Sequence, residues 1–386
     1  MDKFISINVN QGDAFYLERN GVKILVDGGK SRQGFANQFT HATRTNLGTL
    51  LDIVVCTHAD ADHINGLLGF YESGHRSREI WLPGTWTYLL TDLLLNPEKF
   101  FECLYKEIYV SHLPSAPQTL EELSSNEEFT KRTIDRNKTN QINQESVTQA
   151  IEESQEHQYD YNYINFFTHH LFFLLSHLHQ PNKLNLFIDA IDTAKKIRDL
   201  AILAYRAGAD IRWFEISATP TEASGGESHL KPINSHEILR GSHIIKPHQI
   251  NPLLYLTLSK SNKECLVFHS PGANNSGCVL FTGDSDLSFP NEIPSLGKKP
   301  IITAPHHGSE SNKNAYEKLN KNEMERAIFV RSDGKFKSRP GISFKSLQSK
   351  ICTLCPYSNS KNQTIIFTAS VHGWRRKNGL KWCKCE

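Results

Sequence analysis

"LLDIVVCTHADADHINGLLGFYE", residues 50–72, runs an apolar, β-branched segment straight into two histidines and two aspartates within six positions. The part "LLDIVVCTH" has no charge after Asp52 and reads as a strand buried on both faces. "ADHINGLLGFYES" reads as a helix with small and acidic residues at its entry. His58, Asp60, Asp62 and His63 therefore stand where a rigid strand stops and a helix begins, the place where α/β folds put ligands. Imidazole suits zinc, manganese or iron, and carboxylates add harder oxygen donors. Such a mixed set fits a hydrolytic divalent-metal site better than a structural one, which favours cysteine.

Three further strands end in the same kind of residue. "ILVDGG" delivers Asp27, "VLFTGDSD" delivers Asp284 and Asp286, and "IITAPHHGS" delivers His306 and His307. Around them, "FISINVN", "AFYLER" and "VKILV" read as an opening β-meander, with a loop and short helix over 31–49. "REIWLPG", "DIRWFEIS", "LLYLTLS", "ECLVFHS" and "RAIFVRSD" read as strands, with a helix near 312–321 and a final strand pair in "QTIIFTASVHGWRRK". From about 89 to 209 the apolar spacing turns helical. Within that region 120–157 is polar, and "THHLFFLLSHLH" carries His169, His170, His177 and His179 along an amphipathic face. Strands, then helices, then strands again predict an α/β sandwich with a large helical insertion.

The ordered set "LVDGG", "THADADH", "FTGD" and "PHHGS" resembles the metallo-β-lactamase fold superfamily. The His-x-Asp-x-Asp-His variant, with "NVNQGDAFYL" and "NNSGCVLFTGD", is similar to the hydrolase domain of the competence DNA-uptake channel and its stand-alone relatives. The likeness covers 4–85 and 205–345. It implies an αββα sandwich with two divalent ions, zinc or manganese, at one edge. In that frame His58 and Asp60 hold one ion, Asp62 and His63 the other, and Asp284 bridges them. His306 is the last ligand and His307 orients a ligand or protonates the leaving group; which of the two binds metal stays open. Asp27 orients His58, Asp13 is a weaker candidate for such a role, and Asp62 positions or deprotonates the attacking water. His229 stands where many members place a further histidine. His63 and Asp284 are 221 positions apart, against about a hundred in compact members. That spacing implies an insertion of roughly 90–120 residues, serving as lid, clamp or surface for a regulatory protein partner.

The expected organisation is thus a hydrolase domain over 1–345 and a C-terminal strand pair over 346–386. The tail holds "CTLC" and "CKCE": Cys352 and Cys355, then Cys383 and Cys385 after 27 intervening residues. These four fit a structural zinc knuckle. Arg375, Arg376 and Lys377, with Trp374, Lys381, Trp382 and Lys384, interleave cations and aromatics in a pattern that tracks a phosphate backbone. Arg331, Lys335, Lys337 and Arg339 form a second such run. Net charge is only +2 over 386 residues, so no global field draws the chain to nucleic acid. "MDKFISINVN" lacks the features of a secretory signal, and no stretch is apolar and long enough to span a bilayer, so a cytoplasmic location without membrane attachment is expected. The leading expectation is a two-metal phosphodiesterase, a nuclease acting on nucleic acid, in keeping with an effector of a bacterial defence system. The alternatives are a small-molecule hydrolase of nucleotides, choline-type phosphodiesters or esters, and a non-catalytic scaffold.

Overall fold

The computed structural model describes residues 2–109, 117–126, 139–156, 180–217, 219–220, 223–247, 250–272, 277–319, 326–334, 336, 339–355, 363–377, 383 and 385. The four histidines of "THHLFFLLSHLH", and Lys335, Lys337, Lys381, Trp382 and Lys384, lie outside those residues. The chain divides into two units, one of Met1–Pro83, Arg206–Glu237 and Asn262–Glu386, the other of Gly84–Tyr205 and Ile238–Ser261.

The first unit is mixed α/β, with two sheets. Strands β1 (Lys3–Ser6), β2 (Phe15–Arg19) and β3 (Val22–Val26) form the antiparallel meander, and β4 (Leu50–Val55), β5 (Arg76–Pro83) and β7 (Asp210–Ile216) continue it in parallel. With β9 (Ser235–Ile238) at one edge and β16 (Ile365–Ser370) and β17 (Gly373–Arg376) at the other, the order is β17-β16-β1-β2-β3-β4-β5-β7-β9. The second sheet runs β15 (Lys350–Cys352), β14 (Ile328–Arg331), β13 (Ile301–Thr303), β12 (Val279–Phe281), β11 (Phe268–Ser270) and β8 (Lys231–Pro232). Its β12, β13, β14 and β15 are parallel.

Alternation along the strands sets the layers. Phe4, Phe15, Leu17, Ile24, Val26, Ile53 and Val55 of the first sheet share one buried cluster with Phe268, Val279, Phe281, Ile301, Val330 and Ile351 of the second. Phe4 stands in its middle, 5.8 Å from the ring of Phe15, 6.3 Å from Phe281 and 6.4 Å from Phe367. The opposite face of the first sheet meets helix α1 (Phe35–Thr43): Tyr16 lies 6.1 Å from Phe39, and Phe39 in turn 5.4 Å from Phe70 of helix α2 (Ala61–Glu72). Leu280, Ile302 and Phe329 point away from the shared cluster and pack with Tyr316 and Phe344 of the helices Lys313–Lys318 and Ile342–Lys345.

Helix α2 approaches the first sheet closely because glycines permit it. Gly66 N donates to Gly29 O at 2.9 Å and Gly28 N to His63 O at 2.8 Å. A Cβ on Gly66 would lie 1.8 Å from the Gly28 carbonyl oxygen.

The second unit is helical, with Thr87–Leu95, Pro97–Tyr109, Leu120–Ser124, Gln144–Glu156 and Pro181–Arg206, and a two-stranded sheet of β6 (Thr139–Asn143) and β10 (His243–Pro247). "LLYLTLS" belongs here and is the helix Pro252–Ser259, not the strand expected of it. Leu253–Ser259 are all buried, so the run carries no periodicity by which helix and strand differ. The deciding signal was local: Asn251 Oδ1 accepts from Leu254 N at 2.8 Å and Pro252 opens the first turn. Among the described residues no helix is long and apolar enough to cross a membrane.

Candidate metal centre

The parallel strands of both sheets end on the same side, and their C-terminal ends supply the site. Asp27 follows β3, His58 follows β4, Asp284 follows β12, and His306 and His307 follow β13. Asp27 N donates to Val55 O at 2.9 Å and His306 N to Gly283 O at 3.1 Å, so adjacent ends are stitched by backbone bonds. Asp27, His306 and His307 have φ of 58°, 45° and 52°. Left-handed backbone at non-glycine residues is strained and recurs at functional sites.

The site is organised around Asp284, 1% exposed. Its Oδ2 lies 3.8 Å from His58 Nε2 and 3.6 Å from His306 Nε2. Its Oδ1 lies 3.2 Å from His63 Nε2 and 3.5 Å from His307 Nε2. Asp60 Oδ2 joins the first set, 3.5 Å from His58 Nε2, and Asp62 Oδ2 the second, 3.4 Å from His307 Nε2. Asp60 starts helix α2 without its side chain capping any N–H, which leaves that carboxylate for His58. The ligand atoms of His58, Asp60 and Asp284 lie within 4.8 Å of one another, as do those of Asp13, His63, Asp284 and His307. Nε2 of His58, His63 and His307 and Oδ1 of Asp284 are buried and complete no hydrogen bond. These orphaned atoms, aimed at one another from two sheets, fit divalent cations.

The outward nitrogens are all held. Asp13 Oδ1 accepts from His307 Nδ1 at 3.1 Å, and Asp27 Oδ2 accepts from His63 Nδ1 at 2.9 Å. Asp27 therefore orients His63 directly, in place of the expected His58. It reaches His58 through Thr57, whose hydroxyl donates to Asp27 Oδ2 at 2.8 Å and so accepts from His58 Nδ1 at 3.0 Å. His306 Nδ1 lies 3.3 Å from Asn312 Oδ1, and Asn312 Nδ2 donates to the Asp284 carbonyl at 2.8 Å, which settles the amide's orientation. With Nδ1 turned to a partner, all four imidazoles face Asp284 with Nε2.

Burial works against every charge here, and for His63, His307, Asp284 and Asp62 the partners override it. Burial would depress His63 and His307, yet Asp284 and Asp27 hold the first, and Asp284 and Asp13 the second, well above the ordinary histidine range. Burial would raise Asp284 and Asp62, yet the facing imidazoles keep both low. Asp13 is raised, since its burial outweighs His307. The cluster of carboxylates thus calls for positive charge, which protons on imidazole or bound cations can supply.

Several participants carried little signal in the sequence. Thr57, Asn312 and Cys265, whose sulfur accepts from Asp284 N at 3.3 Å, resemble ordinary polar or core residues until the strands are paired. His229 takes no part among the described residues; its carbonyl accepts from Ser270 in a turn. Two members of the basic runs are corrected by burial. Arg331 is 0% exposed: its Nε donates to the His307 carbonyl at 2.7 Å and its Nη2 to Asp333 Oδ2 at 2.9 Å, so it braces the histidine turn. Trp374 is buried in the core, its Nε1 donating to Cys278 O at 3.0 Å, and offers no face for a base. Arg375 and Lys377 are exposed at the outer edge of the first sheet, and Arg376 is half-buried.

The four C-terminal cysteines also meet. Cys383 Sγ lies 3.3 Å from Cys352 and 3.1 Å from Cys355, and Cys385 Sγ lies 3.7 Å and 3.5 Å from the same two. Compared with protein-family models and with curated proteins, the chain matches none.

Proposed function

We propose that this protein is a metal-dependent hydrolase with an αββα metallo-β-lactamase-type sandwich, cleaving phosphodiesters with two divalent ions, and that nucleic acid is its substrate class. The observation that carries the reading is the division of Asp284: each carboxylate oxygen serves one pair of histidines, with Asp60 on one side and Asp62 on the other. The two sheets sharing one core, with helices against their outer faces, support the sandwich.

His58, Asp60 and His306 with Oδ2 of Asp284 would hold one ion, and Asp62, His63 and His307 with Oδ1 the other. Such ions lower the pKa of water and offset charge developing on a phosphoryl oxygen. Asp13, Asp27, Thr57 and Asn312 keep the Nδ1 protons in place, so each Nε2 lone pair stays directed inward. Asp62 enters from the first turn of helix α2 as a carboxylate, suited to accept a hydrogen bond from the attacking water. Exposed Arg375 and Lys377 suit contact with a phosphate backbone.

The test is turnover of bis(p-nitrophenyl) phosphate by metal-stripped protein given Mn²⁺ or Zn²⁺, with the Asp62→Ala, Asp284→Ala double variant alongside. Metal-dependent turnover lost in the variant supports the reading, and single- and double-stranded DNA and RNA follow as substrates. Absence of turnover with both metals, on these and on the nucleic acids, overturns it.

A further inference from the structure

We infer that Cys352, Cys355, Cys383 and Cys385 form a tetrathiolate zinc site that clamps the C-terminal tail onto the second sheet. The sulfurs come from two places: Cys352 closes β15, Cys355 follows it by one turn, and the other pair comes from the tail. Each tail sulfur touches both sulfurs of the first pair, at 3.1–3.7 Å. Two disulfides would need only two of these four contacts, each near 2.0 Å. A tetrahedron with Zn–S of about 2.3 Å has edges of about 3.8 Å, close to the longer contacts; the sulfurs of Cys352, Cys383 and Cys385 all lie within 4.8 Å of one another, and Cys355 joins them through its contacts to the two tail sulfurs. Cys352, Cys355 and Cys385 are buried at 1%, 5% and 1% exposure. The remaining cysteines, Cys56, Cys103, Cys265 and Cys278, join no such group among the described residues. An all-sulfur set selects zinc over the harder ions that suit carboxylates and leaves no open position for substrate.

The placement gives the zinc a structural task. Cys383 N donates to Lys350 O at 3.2 Å, which ties Cys383 to β15. Thr353 N, between the first two cysteines, donates to Arg331 O at 3.0 Å, and Arg331 Nη1 reaches Leu354 O at 3.4 Å. The clamped loop is therefore bonded to the same arginine that braces His307.

The experiment loads the metal-stripped, reduced full chain with Co²⁺ and follows absorption. Thiolate-to-cobalt charge-transfer bands in the near ultraviolet arise only from sulfur ligation, so the histidine–carboxylate centre does not mimic them; they, and not the d–d bands, are the readout. We expect these charge-transfer bands to saturate at one cobalt per chain and to be displaced by zinc. They should weaken and shift in Cys385→Ser, and stay unchanged in Cys103→Ser. Alkylation of the four thiols should be blocked by zinc and restored by a chelator. If the wild-type chain shows no thiolate bands, or if the four thiols alkylate equally fast with and without zinc, the site does not exist. Because the readout is spectroscopic on the wild-type chain, it is independent both of a misfolded variant and of any failure of the hydrolase reading.

Discussion

Asp27→Asn tests the proposed locking of the imidazoles most directly, because it leaves every proposed ligand in place. Asp27 Oδ1 accepts from Thr57 N at 2.9 Å, while Oδ2 accepts from the Thr57 hydroxyl and from His63 Nδ1. An amide supplies one oxygen only. With that oxygen kept on Thr57 N, the NH₂ group faces two donors. The hydroxyl can rotate; the imidazole must move its proton to Nε2, which removes the lone pair the centre needs. Loss of such an orienting partner costs about 10–100-fold in metal affinity, or about 1.4–2.8 kcal/mol. Mn²⁺ is the ion to use, since thiolates bind it poorly. Its affinity is read by competition with a chromophoric chelator, and thermal melts of the metal-free variant verify that it is folded. Asp52→Asn, which alters a carboxylate bonded to Lys23 N at the start of β4, should leave the affinity unchanged. If Asp27→Asn binds Mn²⁺ within about twofold of wild type while folded, tautomer control is not what Asp27 supplies.

Other outcomes follow from the same geometry. Asp284→Ala should abolish the binding of both ions rather than one, so isothermal titration that still resolves a tight Mn²⁺ site would contradict the bridging role. Gly66→Ala drives a Cβ into the Gly28 carbonyl and should cost about 3 kcal/mol or more in urea unfolding, because backbone meets backbone and neither side relaxes; a near-neutral result would mean helix α2 sits farther from the sheet. His269 is pushed down to about 4 by burial, with Arg19 and Lys231 adding to the effect. Since its folded value lies below the unfolded one, the unfolded chain takes up the extra proton. Stability then falls as pH drops from about 6.5 toward 4, by up to about 3 kcal/mol. His269→Gln should flatten that stretch of the pH–stability curve, and an unchanged slope would assign the acid sensitivity elsewhere. Arg375→Glu with Lys377→Glu should weaken binding of single-stranded nucleic acid and lower the slope of log affinity against log salt; identical slopes would remove this edge from the binding surface.

The residues that end strands were legible because a buried, uncharged run followed by aspartate or histidine leaves few readings. The pleat of β3, β4, β12 and β13 and the entry to helix α2 could be read the same way. What the sequence withheld was pairing. Asp13 and His307 are 294 positions apart, and no local pattern tells which carboxylate serves which imidazole; the assignment of Asp27 to His58 missed for that reason. Arg331 looked like part of a basic surface run because "RSDGKFKSR" is polar apart from Gly334 and Phe336. Only the fold puts its guanidinium inside, beside Asp333 and a backbone carbonyl. "LLYLTLS" failed for the opposite cause, since uniform burial erases the period that would have shown a helix.

The pairing of β1 with both β2 and β16 sets a timetable for biosynthesis. Ser6 pairs with Ile365, a partner 359 positions later, and at about 5–20 residues per second that partner is made roughly 20–70 s afterwards. Until then β1 has an open edge, and Phe4 lacks the rings of Phe367 and Trp374 that complete its surroundings. The centre waits as well, because Asp13 has no His307 until 294 further residues have been made. A nascent chain therefore carries the candidate ligands without a site, and the proposed metal binding becomes possible only once strands far apart in the sequence have been made and paired.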